Sequence, residues 1–220
     1  MIIPLNNIFC FILKNCQKHN IDESHGIRHS MECFQYAQNI YHEERVKIPQ
    51  IEKKEHIIYT SSLLHDMCDH KYFDNDDEGV QIVSDFLMTN NYPSHDVCEI
   101  MKIVNTMSYS KVKQKGFPTF KNVLEDRSYH IVREADLLCA YDVDRCILYD
   151  MYNRKNTFDT SLNRSIDLFN VRMFRHYDDG LFSTSYALRE GKHLEDKARA
   201  RIEEHLHASK LAEMPHNPDN

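Results

Sequence analysis

The sequence predicts an all-α protein. Three observations predict it: only five glycines in 220 residues, apolar residues that recur with a period near 3.6 along most of the chain, and no convincing run with the period of two that marks a half-buried strand. With 41% hydrophobic and 28% charged residues, the chain is long enough for one well-buried domain. That domain is expected over 1–212, with a motif-bearing core at about 22–155, C-terminal helices at about 160–208 and a disordered tail at 213–220.

The first helix is expected at about 5–18, where Leu5, Ile8, Phe9 and Ile12 share one face and cover the core. Its apolar run from Ile8 to Leu13, bounded by Asn6, Asn7 and Lys14, is too short to cross a bilayer, and no cleavable signal is evident. Ser24 can cap a second helix, whose face of Cys33, Phe34, Ala37, Ile40 and Tyr41 has the spacing of core packing. His25 and His29 stand in its first turns, four residues apart and so on one face.

Pro49 opens a third helix that ends in His65-Asp66. There the pattern is anomalous, because Ile58, Ser62 and His65 lie on one helical line and Ile57, Ser61 and Leu64 on the next, which aims the histidine at the core. An unpaired ionised Asp66 in that position is strongly disfavoured, so it must be protonated, hydrogen-bonded to a counter-charge or bound to a metal ion. The acidic turn Asp74 to Glu78 starts a fourth helix with Ile82, Val83, Phe86 and Leu87 inward, and its acids suit a helix N-terminus. It lacks the alternating oxygen ligands and the central glycine of a calcium loop.

Pro93 and Ser94 begin a helix with Val97, Ile100, Met101 and Val104 inward, which runs into Ser108-Tyr-Ser-Lys111. Val112 to Asn122, with Gly116 and Pro118, reads as a loop long enough to cover a site. A helix at about Ser128 to Asn153 repeats the anomaly: Val132, Ala135, Cys139 and Val143 form a buried line, and Asp136 lies beside it. Two late helices, one through Leu162, Ile166, Phe169, Met173 and Tyr177 and one through Leu194, Ala198, Ile202 and Leu206, show no inward polar groups and read as structural. His193, His205 and His207 read as surface residues.

The inward polar set is therefore His29, His65, Asp66 and Asp136, two imidazoles and two carboxylates on three helices. Such donors suit one divalent transition ion (manganese, iron, cobalt, nickel or zinc) better than calcium, and the lack of thiolates argues against a closed structural zinc site. No further histidine is turned towards the set by periodicity, so a single ion is expected. Seven cysteines without a C-x-x-C pair read as reduced thiols of a cytoplasmic protein. A net charge of −7 argues against an extended nucleic-acid surface, and the sequence leaves homo-oligomer formation open.

The order His29, His65-Asp66, Asp136 resembles the HD-domain metal-dependent phosphohydrolases. Ser24-His-Gly-Ile-Arg-His29 is similar to the S-H-D-x-x-H of their small bacterial nucleotide pyrophosphohydrolase branch. Leu63-Leu-His-Asp-Met-Cys-Asp-His-Lys-Tyr72 resembles its L-L-H-D-x-x-D-x-K-F, Ser108-Tyr-Ser-Lys111 its S-F-S-K, and Ile131-Val-Arg-Glu-Ala-Asp136 its I-V-x-D-A-D. Gly26 stands where that branch has Asp, and Leu137 where it has Arg. The resemblance implies a single HD-like helical bundle and hydrolysis of a phosphate ester or anhydride of a nucleotide or related small molecule, with manganese favoured for activity. It implies Asp66 and Asp69 as catalytic residues, Asp69 exchanging protons with water or leaving group or else supporting the ligands. It places His25, Lys71, Ser110 and Lys111 on the substrate phosphate. Two other readings stand beside it: a degenerate metal-binding domain that acts as an interaction module, and a phosphodiesterase on a cyclic nucleotide or short RNA.

Overall fold

In the computed structural model, which describes residues 4–212, one short helix is buried on every side. It is α3, Glu55–Leu64, the fourth helical segment in the chain after α1 (Leu5–His19), α2 (Ile27–Lys47) and a 3-10 segment at Pro49–Lys54. Every residue of α3 from Ile57 to Leu64 is buried, and it packs against α1, α2, α5 (Ser94–Thr106) and α7 (Val123–Cys139). Two of its hydroxyls are satisfied within the core, the Ser62 hydroxyl donating to the Tyr59 carbonyl and Thr60 Oγ1 lying 2.8 Å from the Tyr92 hydroxyl, while buried Ser61 Oγ has no partner. Ile57, Ile58, Leu63 and Leu64 are fully withdrawn from water, each stabilising the fold by roughly 2 kcal/mol.

Helix α4 (Asp76–Thr89), a 3-10 turn at His70–Tyr72 and α6 (Tyr109–Lys115) complete this region, and α8 (Val143–Arg154), α9 (Phe158–Val171), a 3-10 turn at Met173–Arg175 and α10 (Ser185–Ala212) follow. The described residues contain no strand, so the protein is all-α. No helix among them is long and apolar enough to cross a membrane. The tail expected at 213–220 lies outside the described residues.

The chain forms two compact units, one from the residues up to Cys139 together with Ser183–Ala187, the other from Ala140–Phe182 together with the residues from Leu188 on. In the first, α2 and α7 flank α3, and the buried faces are the expected ones: Cys33, Ala37, Ile40 and Tyr41 on α2, and Val97, Ile100, Met101 and Val104 on α5. Asn75 caps α4 through the backbone N–H groups of Asp77 and Glu78. Gly79 lets α4 press on the turn that follows α3, since a Cβ there would come within 2.7 Å of the Phe73 ring and 2.8 Å of Cys68 Cα.

Several boundaries differ from the sequence expectation for local reasons. Ser24 does not cap α2: the N-cap is Gly26, and the Ser24 hydroxyl is engaged by Asp22 and His25. His25 therefore lies before the helix and not on it. The loop expected from Val112 to Asn122 begins later, because its first residues, to Lys115, belong to α6, which ends at Gly116 in the left-handed region with φ of 75°. The helix expected over Ser128–Asn153 is two helices, because Asp142 turns its side chain onto the Arg145 N–H and starts α8 anew.

In the second unit, Asp150 on α8 accepts from the hydroxyl of Ser161 on α9 at 3.0 Å and from the Asn156 amide at 2.6 Å. His176 is buried, with the rings of Tyr141 and Phe182 set edgewise to it. Buried Ser161, Ser165 and Glu195 correct the expectation that the late helices carry no inward polar groups. His193 and His207 are exposed, as expected, while His205 is half-buried against Asp144 at 2.6 Å.

Candidate metal centre

Three elements of the first unit bring four side chains to one point. Helix α2 contributes His29 from its first turn, His65 is the residue that ends α3, Asp66 follows it, and α7 contributes Asp136. His29 Nε2 lies 3.0 Å from His65 Nε2, 3.2 Å from Asp66 Oδ2 and 3.4 Å from Asp136 Oδ1. His65 Nε2 lies 3.3 Å from Asp66 Oδ2 and 3.5 Å from Asp136 Oδ1. Two donor atoms each about 2.1 Å from a common ion are separated by about 3.0 Å at a right angle and about 3.4 Å at the tetrahedral angle. The five observed spacings, 3.0–3.5 Å, match that range to within about 0.1 Å.

The hydrogen bonding points the same way. His65 Nδ1 lies 2.8 Å from the Ser62 carbonyl, an acceptor only, so Nδ1 carries the proton and Nε2 presents its lone pair to the cluster. Asp66 Oδ2 is buried and has no hydrogen-bond donor. A buried carboxylate oxygen facing two imidazole nitrogens and a second carboxylate requires positive charge among them. Without an ion that charge is protons on the histidines. Burial alone would lower both histidines, but Asp136 and Asp66 in contact with His29 lift it well above the ordinary value, and the Asp66 charge with Asp136 lifts His65 to about 10. Conversely, burial would raise the carboxylates; the His65 charge and contact with His29 hold Asp66 well below the usual range, and contacts with His29 and His65 hold Asp136 below it. The residues fit a divalent cation.

The surroundings contain groups that periodicity could not reveal. Buried Asn15 of α1 donates its amide to the Met67 carbonyl at 3.1 Å and so fixes the turn that carries Asp66. Cys139 Sγ, one turn after Asp136, lies within 4.8 Å of a His29 ring nitrogen and a Glu32 carboxylate oxygen, and it donates to the Ala135 carbonyl at 3.3 Å. Cys33 and Cys139 were legible as buried but not as neighbours of a candidate ligand.

The remaining expected site residues divide into two places. His25 and Asp69 lie beside Asp66, with one ligand atom of each within 4.8 Å of the others, and Lys71 joins them: its Nζ is 2.7 Å from His25 Nε2 and 3.2 Å from Asp69 Oδ2. Asp69 also caps the His70–Tyr72 turn by accepting from the Lys71 N–H at 3.2 Å. Lys111 instead donates to the Asn105 carbonyl at 2.9 Å, and Asn105 meets Cys68 through its side chain. Ser110 is exposed, its hydroxyl 3.4 Å from that of Ser108. Leu137, next to Asp136, is buried.

The fold is similar to that of a structural-genomics protein from Lactobacillus plantarum known from its crystal structure, with a TM-score of 0.68 and 18% identity over 95% of this chain and 97% of that one. That likeness concerns the fold alone. No family profile and no curated protein sequence matches the chain.

Proposed function

We propose that the chain is an HD-type metal-dependent phosphohydrolase acting on a phosphate ester or anhydride of a nucleotide or related small molecule. The observation that carries this reading is the unpartnered Asp66 Oδ2 beside two imidazole nitrogens 3.0 Å apart, each of which also lies 3.2–3.5 Å from Asp66 Oδ2 and from Asp136 Oδ1. His29, His65, Asp66 and Asp136 would hold one divalent ion, with manganese the first choice for activity. When bound, such an ion supplies Lewis-acid activation of water and neutralisation of phosphoryl charge.

The chain's own groups do the rest. The Ser62 carbonyl and Asn15 hold His65 and the Asp66 turn in register, so that little reorganisation accompanies reaction. Asp69 has its Oδ1 engaged by the Lys71 N–H and its Oδ2 3.2 Å from Lys71 Nζ, and the second lone pair of Oδ2 accepts the proton of the attacking water. As the water oxygen bonds to phosphorus, the bond to the leaving oxygen breaks, and the same carboxyl can return the proton to that oxygen. Lys71, partly exposed, supplies positive charge to a phosphoryl oxygen of the substrate. The net charge of −7 favours a small phosphorylated substrate over a long polymer.

The test is a phosphate and pyrophosphate release panel of nucleoside mono-, di- and triphosphates, cyclic nucleotides and short oligonucleotides, run with chelator-stripped protein and again with added manganese. Manganese-dependent release from a mononucleotide is expected. Release confined to cyclic nucleotides or oligonucleotides would move the reading to a phosphodiesterase. A protein that holds its ion and turns over none of these substrates is an interaction module.

A further inference from the structure

Beside the His29 cluster, His25, Asp66 and Asp69 form a second convergence of ligand atoms, with Asp66 common to both. His25 is prepared as a ligand by groups outside that convergence. The Asp22 carboxylate accepts from the Ser24 N–H at 2.9 Å, from the Ser24 hydroxyl, and from the Tyr72 hydroxyl at 2.7 Å. Since both hydroxyl protons are spent on Asp22, Ser24 Oγ, 2.6 Å from His25 Nδ1, can only accept from it. Nδ1 therefore carries the proton and Nε2 offers a bare lone pair. A carboxylate acting at one remove on the far nitrogen is the arrangement found behind metal-ligating histidines.

A cation of the chain already stands at this convergence. Lys71 Nζ lies over the His25 ring, 2.7 Å from Nε2 and 3.3 Å from Nδ1, and 3.2 Å from Asp69 Oδ2. We infer that the Lys71 ammonium is a resident second cation, which takes the position of the second ion of a two-metal phosphohydrolase and keeps this centre mononuclear. The chemistry agrees at each point. An ammonium has three donors: one is directed at Asp69, the His25 ring lies beneath the charge, and donors are left for a phosphoryl oxygen of the substrate. It neutralises Asp69 without the coordination demands of a divalent ion, and its charge repels such an ion at contact distance. Two-metal sites place one ion on the attacking water and the other on the phosphoryl group, and here the second duty falls to a side chain.

This inference rests on the proposed metal reading, since the count begins with one ion at His29, His65, Asp66 and Asp136. The test is Mn2+ binding by equilibrium dialysis, with paramagnetic resonance to detect spin coupling between ions that share Asp66. Wild type and Lys71→Arg, which keep a cation at the position, are expected to bind about one ion per chain with an uncoupled signal, and Lys71→Met about two with a coupled one. The double variant Lys71→Met/His25→Ala is expected to return to one, which assigns the gained ion to His25. Circular dichroism of each variant checks that the fold is kept. Wild type with two ions, or Lys71→Met with one, overturns the inference while the metal reading stands. Wild type with none overturns both.

Discussion

Glu134 and Asp66 are both carboxylates of the first unit with oxygen withdrawn from water, and they are finished in opposite ways. Glu134, on α7, accepts from the backbone N–H and hydroxyl of Ser183 at 2.9 and 2.6 Å and from those of Thr184 at 3.0 and 2.7 Å. With Arg133 Nη2 at 3.3 Å its charge is spread over five donors, and the result is a strap that fastens Ser183–Ala187 to the helix. Asp66 Oδ2 has no hydrogen-bond partner and faces the Nε2 atoms of His29 and His65, which become lone-pair donors to an ion once their protons leave. A carboxylate ringed by hydrogen-bond donors is a finished structural joint; one set against imidazole nitrogens is suited to half of a coordination shell. Helix α7 carries both kinds two residues apart, with Glu134 in the joint and Asp136 in the proposed shell.

The largest effect expected from breaking this comparison is at Asp66. Asp66→Ala removes a donor from the shell, so bound ion and activity should fall together, activity by about 10³-fold, the equivalent of several kcal/mol of lost charge stabilisation in the transition state. Metal analysis alongside kinetics of the variant checks it, and full activity without the ion would refute the assignment. Glu134→Ala should do the reverse. It removes the acceptor from the buried N–H and hydroxyl of Thr184 and the counter-charge from buried Arg133, so stability in urea should drop by about 3 kcal/mol, while the ion count of the folded protein is unchanged. If Glu134→Ala loses its ion and keeps its stability, the two carboxylates have been assigned the wrong way round.

Asp69 sharpens the contrast, because it belongs to neither class: it caps a turn and borders the cluster. Asp69→Asn keeps shape and cap but cannot take a proton at neutral pH. Turnover should fall by about 10²-fold with the ion retained. Near-normal turnover would leave Asp69 as a support for the turn, and loss of the ion would make it a positioning group for the ligands.

How far this was legible in the sequence depends on the range of the signal. Helical period exposed His29, His65 and Asp136 as polar residues on core-facing lines, because each helix repeats its geometry every few residues. The same reasoning placed His25 on the helix of His29, where a turn built by Asp22 in fact sets it ahead of that helix. It ran α7 and α8 together because the N-cap role of Asp142 is a single-residue signal inside a continuous apolar pattern. Asn15 and Cys139 were invisible as site residues: their roles depend on contacts across 52 and 110 positions of chain, which no local pattern encodes. Glu134 was missed for the same reason, since its partners lie about 50 residues on.

The remaining expected effect concerns protons, and it separates the proposed shell from the joint most cleanly. In the metal-free cluster His65 is raised from the ordinary value of 6.5 to about 10, and His29 is raised as well, so near pH 7 both imidazoles hold a proton that an entering ion must displace. Asp66 and Asp136 are held below the usual carboxylate range and stay ionised throughout, so they release nothing. Ion binding thus releases protons, and apparent affinity must rise with pH from 6 to 8, by about tenfold per pH unit for each proton displaced, or about 1.4 kcal/mol. The sign is fixed by the direction of the histidine shifts: ordinary histidines would already be neutral above pH 7, and the affinity would level off there. Mn2+ titration calorimetry at pH 6, 7 and 8, in buffers of different ionisation heat, measures affinity and proton release together. Affinity that levels off at pH 7, or heat independent of the buffer, would mean that the imidazoles are neutral in the metal-free protein and that the charge opposite Asp66 comes from another source.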